Sequence, residues 1–337
     1  MTSVEPDLRP EARRHGAGRR RVPAFAALDL GTNNCRLLVA TPAPGGFRVV
    51  DAFSRIVRLG EGVGSSGVLS EAAMDRTIDA LKVCAAKIRR QSVSRARTVA
   101  TEACRRAMNC QDFVQRTKLA TGLDLEIISS GEEARLSLAG CAPLLDASRP
   151  WALVFDIGGG STELSWARIV DGSPVVEGCV SLPLGVVTLG ERFPHGVNGA
   201  YADMVAEVQA LLEPFDAHHR ISRVLAGGGV QMLGSSGTVT TLAGVHLDLQ
   251  RYDRNKVDGY QLAFDDIDDV TRRIAAMPVG ERERHACIGR ERADLVLAGC
   301  AILEAICRRW PVGSVRVADR GVREGILLAL MAEAGTA

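Results

Sequence analysis

The sequence contains no apolar run that approaches the ~18–20 residues needed by a membrane-spanning helix. Its charges nearly cancel, with 41 Lys and Arg against 40 Asp and Glu. No global field therefore points to nucleic acid or a membrane surface, and a polyanion site must be a local patch. The nine cysteines include no Cys-x-x-Cys pair, which argues against a disulfide framework and a zinc site. This cysteine usage favours a reducing, cytoplasmic compartment.

Two nucleotide- or metal-binding signatures are also missing. The histidines show neither His-x-x-x-His nor His-Glu-x-x-His spacing, so metal binding by histidine is not expected. The P-loop pattern Gly-x-x-x-x-Gly-Lys-Ser/Thr does not occur, which disfavours a P-loop fold.

A glycine-rich motif occupies residues 153–164, where an apolar β-forming run ends at Asp156 and a second apolar run follows Glu163. Three glycines and a Ser-Thr pair stand between the two acids. Glycines at such a turn allow successive backbone N–H groups to line a concave anion site. Two flanking carboxylates favour a hard cation such as Mg²⁺ beside the same anion. The motif therefore predicts a site for phosphate and metal.

Residues 27–37 repeat this pattern nearer the N-terminus. Aligning Asp29 with Asp156 also aligns Arg36 with Glu163, so the two motifs are in register over their whole length. Two matches in register are expected of two halves built on one plan. They predict two related α/β lobes with a phosphate site between them.

Periodicity and cap signals predict several elements around these motifs. Helices are expected at about residues 71–89, 200–214 and 292–308. A strand, a Gly/Ser loop and a helix over residues 230–243 would place backbone amides at a helix N-terminus, which suits an anion. Polar residues and a proline at 146–150 indicate the hinge between lobes.

The expected organisation has three parts. Residues 1–22, rich in Arg, Pro and Gly, are expected to form a disordered basic leader. The first lobe would cover residues 23–147 and the second residues 148–337. In an alternative arrangement, the last helix of the second lobe packs back on the first lobe.

Eight motifs, in chain order, resemble those of the exopolyphosphatase and guanosine pentaphosphate phosphohydrolase (Ppx/GppA) family, part of the actin-like ATPase superfamily. They are residues 29–34, 57–62, 100–105, 130–136, 156–164, 181–185, 234–243 and 319–325. The resemblance implies two ribonuclease-H-like lobes with a cleft between them. It also implies hydrolysis of a terminal phosphoanhydride with Mg²⁺ or Mn²⁺. The sequence stops soon after Gly325, which predicts a short form lacking the C-terminal helical domains of longer members.

The resemblance further implies roles for individual residues. Glu133 is expected to be the general base that activates water, and Arg105 to bind phosphate. The implied metal ligands are Asp29, Asp156 and Glu163. Further phosphate contacts are implied for Gly31, Thr32, Asn33, Asn34, Gly158, Gly159, Gly160, Ser161, Gly234, Ser235, Ser236, Gly237, Thr238 and Arg292.

One of these assignments competes with a plainer interpretation, and one motif departs from the family pattern. Composition alone favours Glu132 and Glu133 as the acidic first turn of a helix, stabilised by the helix dipole. The pair Asn33-Asn34 departs from the Asn-Ser or Asn-Thr usual in the family, which removes one hydroxyl that could touch phosphate or metal-bound water.

The main functional hypothesis is a Mg²⁺-dependent exopolyphosphatase, and the alternative is a guanosine pentaphosphate (pppGpp) 5′-phosphohydrolase. A small-molecule kinase and a non-catalytic nucleotide-binding sensor of the same superfamily rank lower, because no insertion offers an acceptor pocket and Glu133 is retained. The expected partners are a polyphosphate or guanosine polyphosphate substrate and, as one option, a second copy in a homodimer. No nucleic acid or membrane partner is expected.

Overall fold

The structure of the protein is a computed structural model that describes residues 22–193 and 200–336. The predicted leader lies outside these residues except for Val22. None of the helices in the described ranges is long and apolar enough to cross a membrane.

The first half of the chain forms a five-stranded sheet with helices around it. Its strand order is β3-β2-β1-β4-β5, with β1, β4 and β5 parallel and β2 and β3 antiparallel to their neighbours. The elements are β1 (Ala24–Leu30), β2 (Asn34–Ala43), β3 (Gly46–Ile56), α1 (Val63–Ser66), α2 (Glu71–Arg90), β4 (Val93–Ala100), α3 (Glu102–Arg106), α4 (Cys110–Thr121), β5 (Glu126–Ile127) and α5 (Ser130–Cys141), and a 3-10 turn follows at Ala142–Leu144.

The second half forms a six-stranded sheet in the order β10-β11-β9-β6-β7-β8. Its elements are β6 (Trp151–Ile157), β7 (Thr162–Val170), β8 (Ser173–Leu182), α6 (Val186–Arg192), α7 (Tyr201–His219), α8 (Ile221–Ala226), β9 (Val230–Ser235), α9 (Gly237–His246), α10 (Arg254–Val257), β10 (Gln261–Ala263), α11 (Phe264–Ala276), α12 (Val279–Arg284), α13 (Val296–Arg309), β11 (Ser314–Ala318) and α14 (Val322–Glu333).

The two sheets share one plan. Strands β6, β7, β8, β9 and β11 occupy the same places, with the same directions, as β1 to β5. The hairpin register also agrees, since Asp29 pairs with Arg36 and Asp156 pairs with Glu163. The predicted α/β fold of two ribonuclease-H-like lobes is therefore confirmed. The boundary between residues 147 and 148 stays a prediction.

Local sequence explains the elements that the patterns predicted. The helix expected at 71–89 is α2, and Ser70 caps it by accepting a hydrogen bond from the Ala73 amide at 3.2 Å. Its buried face carries Met74, Ile78 and Leu81 at helical spacing. Strand β1 is apolar and buried because it lies at the centre of its sheet.

Two predicted helix limits were wrong. Helix α7 does not end at Pro214 but continues to His219. Phe215 packs in the hydrophobic core around the six-stranded sheet, and the Asp216 carboxylate accepts a hydrogen bond from the Trp310 indole at 3.0 Å. These tertiary contacts outweigh the proline signal. Helix α13 starts at Val296 rather than at residue 292, so Arg292 lies in the turn before it.

Helices α5 and α14 cross between the lobes. Although α5 comes from the first half, its Leu138 and Cys141 pack with the second sheet. Helix α14 comes from the end of the chain, yet its Ile326 and Leu327 pack with Phe25 and neighbouring residues of the first sheet. One helix from each half of the sequence therefore packs against the sheet of the other half.

The crossing of α5 and α14 relies on glycines. A Cβ at Gly325 would overlap the backbone carbonyl of Leu136, and a Cβ at Gly140 would overlap that of Gly321. No flexible side chain is available to move aside, because the opposing atoms belong to backbone. The two helices can approach this closely only with glycine at the crossing.

We expect Gly325→Ala to lower the free energy of unfolding by about 1–3 kcal/mol or more, because the added methyl forces the helices apart. Alanine at an unhindered helix position normally stabilises, by up to about 1 kcal/mol. Gly131→Ala in the first turn of α5 is the matched control, since nothing lies within 4 Å of its added Cβ. Denaturant unfolding of both variants measures the effect. Equal stability of Gly325→Ala and the unaltered protein would contradict it.

Candidate active site

Two hairpin turns meet at the cleft between the lobes. The first joins β1 to β2, with the Gly31 amide donating to the Asn34 carbonyl at 2.9 Å, and the second joins β6 to β7, with the Gly158 amide donating to the Ser161 carbonyl at 2.9 Å. The identical bond follows from the repeated Asp-x-Gly pattern that the sequence shows.

The turns approach each other so closely that the second one needs glycine. A Cβ at Gly159 would lie 3.1 Å from the Asn33 backbone nitrogen, and one at Gly160 would lie 2.6 Å from Thr32 Oγ1. Backbone atoms of the second lobe therefore reach the first-lobe turn directly. With the acids described below, both turns line a cavity of about 120 Å³.

Two polar atoms of the first turn are buried without a partner. Among the described residues, Thr32 Oγ1 and Asn33 Oδ1 have no hydrogen-bonding partner, although the two residues are only 4 % and 6 % exposed. Buried polar atoms are nearly always hydrogen-bonded. Both residues line the cavity, so their free atoms suit a polar ligand there.

A glycine-rich loop, residues 57–62, fastens the first turn to the rest of the molecule. The amides of Val57 and Arg58 donate to the Asn33 carbonyl at 2.8 and 3.0 Å, and the Gly60 amide donates to the Thr32 carbonyl at 2.9 Å. From this loop the Arg58 guanidinium reaches Asp294 of the second lobe at 3.0 Å. The loop thus holds the turn in place and joins the lobes beside it.

Three predicted metal ligands lie at the ends of the central hairpins. Asp29 is the next-to-last residue of β1, Asp156 has the same place on β6, and Glu163 pairs with Asp156 across β6 and β7. Ser137 of α5 donates to Asp156 Oδ2 at 3.4 Å, and Ser181 donates to Glu163 Oε1 at 2.8 Å. All three carboxylates line the cavity.

Burial and mutual repulsion disfavour the charged forms of these acids. Burial, reinforced by the charge of Asp29, raises the pKa of Asp156 to about 6. Burial also raises the pKa of Glu163 to about 7, with Asp156 adding to it. The pKa of Asp29 is raised by burial against the opposing charges of Arg36 and Arg323. A divalent cation would relieve this repulsion.

The donor set fits Mg²⁺ in one particular mode. Within residues 22–193 and 200–336, no three His, Cys, Asp or Glu side chains are close enough to enclose a metal ion by themselves. Mg²⁺, however, usually binds through one or two carboxylates and completes its shell with waters and substrate phosphates. Asp29 and Asp156, whose charges repel each other beside the two turns, fit that mode.

Glu133 lies in the same cavity from the side of α5. Ser129 caps this helix, accepting from the Glu132 amide at 3.2 Å. Arg105 Nη1 donates to Glu133 Oε2 at 2.8 Å and to the Ile128 carbonyl at 3.0 Å. Burial, and then the charge of Glu163, raise the pKa of Glu133 well above its ordinary value, although Arg105 opposes the shift. A carboxylate with a raised pKa is suited to accept a proton near neutral pH.

The neighbouring Glu132 has a different environment. It forms ion pairs with Arg97 at 2.9 Å and with Arg135 at 2.8 Å. The hydrogen bond from Arg135, together with that from Arg97, lowers the pKa of Glu132. Glu132 does not line the cavity that contains Glu133. The two acids therefore have separate surroundings, as the helical repeat requires.

The β9–α9 loop contributes less than the sequence suggested. Ser236, Gly237 and Thr238 line the cavity, but the Ser236 hydroxyl already accepts from the amides of Thr238 and Val239 at 3.1 and 3.3 Å. Those two amides of the helix N-terminus are thus occupied. Arg292 lies beside Gly237, with Nη1 donating to Thr241 Oγ1 at 3.1 Å.

Gly234 and Ser235 do not reach the cavity. Both belong to strand β9, where a Cβ at Gly234 would lie 2.5 Å from the Phe155 ring. Ser235 donates to the Arg320 carbonyl at 2.6 Å. Gly234 allows close packing inside the sheet, and Ser235 holds the loop before α14. Gly234 lines neither cavity, so its predicted phosphate contact is not supported by its position, whereas Ser235 lines the second cavity described below and its contact stays a prediction.

A second and larger cavity, of about 650 Å³, adjoins the first. Asp29, Arg36, Asp156 and Arg292 line both. The second cavity is basic, since its lining includes seven arginines against four acids. The arginines are Arg36, Arg55, Arg254, Arg290, Arg292, Arg320 and Arg323.

Sequence reasoning missed several residues of this region. Arg36 was visible as the partner of Glu163 in the repeat, but it received no role. Glu102, whose carboxylate accepts from Arg105 Nε at 3.0 Å, lies in a motif without a distinctive spacing. Arg323 lies in the motif of residues 319–325 but received no role, and it reaches the cleft because α14 crosses to the first lobe.

Comparison with known proteins places the chain in a family. Residues 38–334 match the Ppx/GppA phosphatase family. Exopolyphosphatase 2 of Mycobacterium tuberculosis is 32 % identical over 321 residues, covering 90 % of this chain and 98 % of that protein. Guanosine-5′-triphosphate,3′-diphosphate pyrophosphatase of Aeromonas salmonicida is 29 % identical over 317 residues, and the match covers 92 % of this chain but 60 % of that protein.

Solved structures agree with this result. The crystal structure of an exopolyphosphatase-like protein superposes with a TM-score of 0.82 at 29 % identity, covering 91 % of this chain and 97 % of the other. The Aquifex aeolicus member of the Ppx/GppA family gives a TM-score of 0.73 at 30 % identity, covering 93 % of this chain and 98 % of the other. By sequence and by fold, the chain belongs to the Ppx/GppA phosphatase family.

Proposed function

We propose that the protein is a Mg²⁺-dependent exopolyphosphatase that releases orthophosphate from the end of inorganic polyphosphate by attack of water. The observation that carries the proposal is the largely buried Glu133 carboxylate, which has a raised pKa and lines the same cavity as Asp29, Asp156 and the two hairpin turns. The similarity to exopolyphosphatase 2 supports the substrate.

Each group of site residues has its own role in the proposed hydrolysis. The backbone amides of Gly159–Ser161 and the free hydroxyl of Thr32 bind the terminal phosphoryl group. The free Asn33 Oδ1 can only accept a hydrogen bond, so it suits a water molecule beside the phosphoryl group. Glu133 accepts the proton of the attacking water, and Arg105 orients the Glu133 carboxylate. Asp29 and Asp156, with Glu163 behind them, would hold Mg²⁺. When bound, Mg²⁺ would supply positive charge to the phosphoryl oxygens and fix their orientation.

A loose, metaphosphate-like transition state is stabilised mainly by positioning the water and the phosphoryl group and by neutralising the phosphoryl charge. The two turns, each tied by the same backbone hydrogen bond, provide fixed positions. The basic second cavity provides room and charge for the rest of a polyanion.

We include a cytoplasmic location in the proposal, as the cysteine usage predicts.

Hydrolysis of pppGpp at its 5′ end is the second candidate. Its support is the similarity to the Aeromonas pyrophosphatase and the size of the second cavity, which also contains Phe53 and Tyr252 beside its arginines. Both substrates end in the same phosphoanhydride, so the first cavity serves either. Phosphate release from long polyphosphate, tripolyphosphate, pppGpp and ATP, measured side by side, separates the two. A preference for pppGpp over every polyphosphate would replace the first proposal by the second.

Salt is expected to weaken binding of long polyphosphate. A polyanion held by three or more arginines releases counterions, so its KM should rise on the order of 10-fold between about 50 and 200 mM salt. Tripolyphosphate, with fewer charges to contact, is the matched control and should show a shallower rise. Initial rates across the salt series measure both slopes. A flat KM for long polyphosphate would contradict a cleft that binds a polyanion.

A further inference from the structure

Arg323 is the second residue of α14, and its side chain is largely buried near Asp29. Its side chain is 13 % exposed, and its nearest carboxylate oxygen is Glu324 Oε1 at 4.0 Å. Glu324 is already engaged, because Oε1 accepts from Arg254 at 3.1 Å and Oε2 accepts from the Gly321 amide at 2.9 Å. No hydrogen bond of the Arg323 guanidinium is formed within the described part of the chain.

The position is unfavourable for a cation. Burial lowers the pKa of Arg323, and the nearby Arg36 acts in the same direction against the charges of Glu324 and Asp29. The N-terminal end of a helix also carries partial positive charge, which disfavours an arginine in its first turn. An uncompensated buried charge destabilises a fold. An anion that enters from the cleft would give Arg323 the hydrogen-bonded partner that these carboxylates do not supply.

The two cavities show where such an anion would lie. Glu133 lines the first cavity and not the second, whereas Arg323 lines the second and not the first. Asp29, Arg36 and Asp156 line both, so the two cavities meet at these residues. Glu133 and Arg323 therefore belong to two different cavities that meet at the two aspartates.

We propose that Arg323 is a further catalytic residue that binds the phosphate next to the terminal one, on the side of the leaving group. This inference rests on the proposed hydrolysis. In an in-line displacement the attacking water and the leaving oxygen lie on opposite sides of the phosphorus. The water oxygen bonds to the terminal phosphorus while the bond from that phosphorus to the bridging oxygen breaks. Glu133 takes the proton, and the bridging oxygen keeps the electron pair.

The guanidinium suits this task because it can bind phosphate oxygens through two parallel N–H groups. Negative charge grows on the bridging oxygen as its bond breaks, so a fixed cation there stabilises the transition state more than the bound substrate. Arg36 lies close to Arg323, and the two together face the same anion. A phosphate bound there would pair with a guanidinium that has no carboxylate within hydrogen-bond distance.

The first experiment measures binding without turnover. Calorimetry with tripolyphosphate and Mg²⁺ is carried out on Glu133→Gln and on Glu133→Gln combined with Arg323→Met. We expect binding to weaken on the order of 10-fold with Arg323→Met, while the melting temperature holds or rises because a buried charge is removed. Unchanged binding, with or without a fall in melting temperature, would overturn the proposal and leave Arg323 a structural residue. Arg323→Lys serves as the folded counterpart if Arg323→Met does not fold, and it should bind more weakly than the Arg323 protein.

The second experiment measures catalysis and includes a rescue. Arg323→Met alone should lower kcat on the order of 10²-fold, and free guanidinium ion should restore part of it. Arg95→Met is the matched control, since Arg95 pairs with Glu333 at 2.8 Å on the exposed far end of α14, and its kcat should not respond. Loss of kcat without any rescue, in a protein that binds tripolyphosphate normally, would reject the role. If the unaltered protein hydrolyses no substrate, the proposed function fails, and the calorimetry still decides whether Arg323 binds the anion.

Discussion

Glu133→Gln is expected to lower kcat by about 10²–10⁴-fold, the usual contribution of a general base aligned on its proton. Glutamine keeps the size of the side chain and one oxygen for Arg105, whose Nη1 now donates to Glu133 at 2.8 Å, but it cannot accept the proton. Substrate affinity is expected to hold or rise, because the change removes negative charge beside a polyanion. Single-turnover rates and direct binding of polyphosphate measure the two effects separately.

Glu132→Gln is the matched control, since it alters the next residue of the same helix turn. Glu132 pairs with Arg97 and Arg135 outside the cavity, so its loss should affect stability modestly and leave kcat near that of the unaltered protein. Near-normal kcat in Glu133→Gln, or a larger loss in Glu132→Gln, would falsify the assignment of the base.

The pH profile gives an additional check on Glu133. A base acts only in its ionised form, and the pKa of Glu133 is raised well above its ordinary value by burial and by Glu163. Activity should therefore be present above the raised pKa and fall as the pH is lowered through it. In Glu133→Gln, the residual activity should no longer decrease as the pH is lowered through the pKa of Glu133.

Removal of divalent metal is expected to abolish activity, and Mg²⁺ or Mn²⁺ should restore it, because the available ligands are carboxylate oxygens suited to hard cations. Phosphate release in excess chelator, followed by metal addition, measures this. Asp156→Asn should raise the Mg²⁺ concentration needed for half-maximal activity. Full activity in excess chelator would refute the metal site.

Protons should compete with the metal at this site. The pKa of Asp156 is about 6 and that of Glu163 about 7, and ligands must be deprotonated to bind. The Mg²⁺ requirement should thus increase as the pH falls through this window. A requirement that stays constant from pH 8 to about pH 6 would show that these acids are not the ligands.

The sequence predicted the hairpins and their acids because that information is local. An apolar run, an Asp and a glycine turn recur in register in the two halves, and the register alone places Arg36 opposite Asp29 and Glu163 opposite Asp156. The acidic pair Glu132-Glu133 likewise marked the first turn of α5 and hence the place of Glu133.

The remaining features depend on contacts between distant parts of the chain. Pro214 is a helix-ending signal that core packing of α7 overrides. Gly234 looks like part of a phosphate loop, but it is a packing glycine under Phe155. Arg323 comes to the cleft through the crossing of α14 onto the first sheet. Neither periodicity nor residue spacing carries such long-range information.

The exchange of α5 and α14 has a consequence for how the protein is made. The face of the first sheet that carries Phe25, Ala27 and Leu38 is covered by Ile326, Leu327 and their neighbours on α14. Domains usually fold in order as the chain leaves the ribosome, N-terminal part first. Here the first lobe emerges early, but its apolar face stays exposed to solvent until α14 has been synthesised. Ribosomes that stall before α14 would therefore release an aggregation-prone chain, and a chaperone that shields this face during translation should raise the yield of active protein.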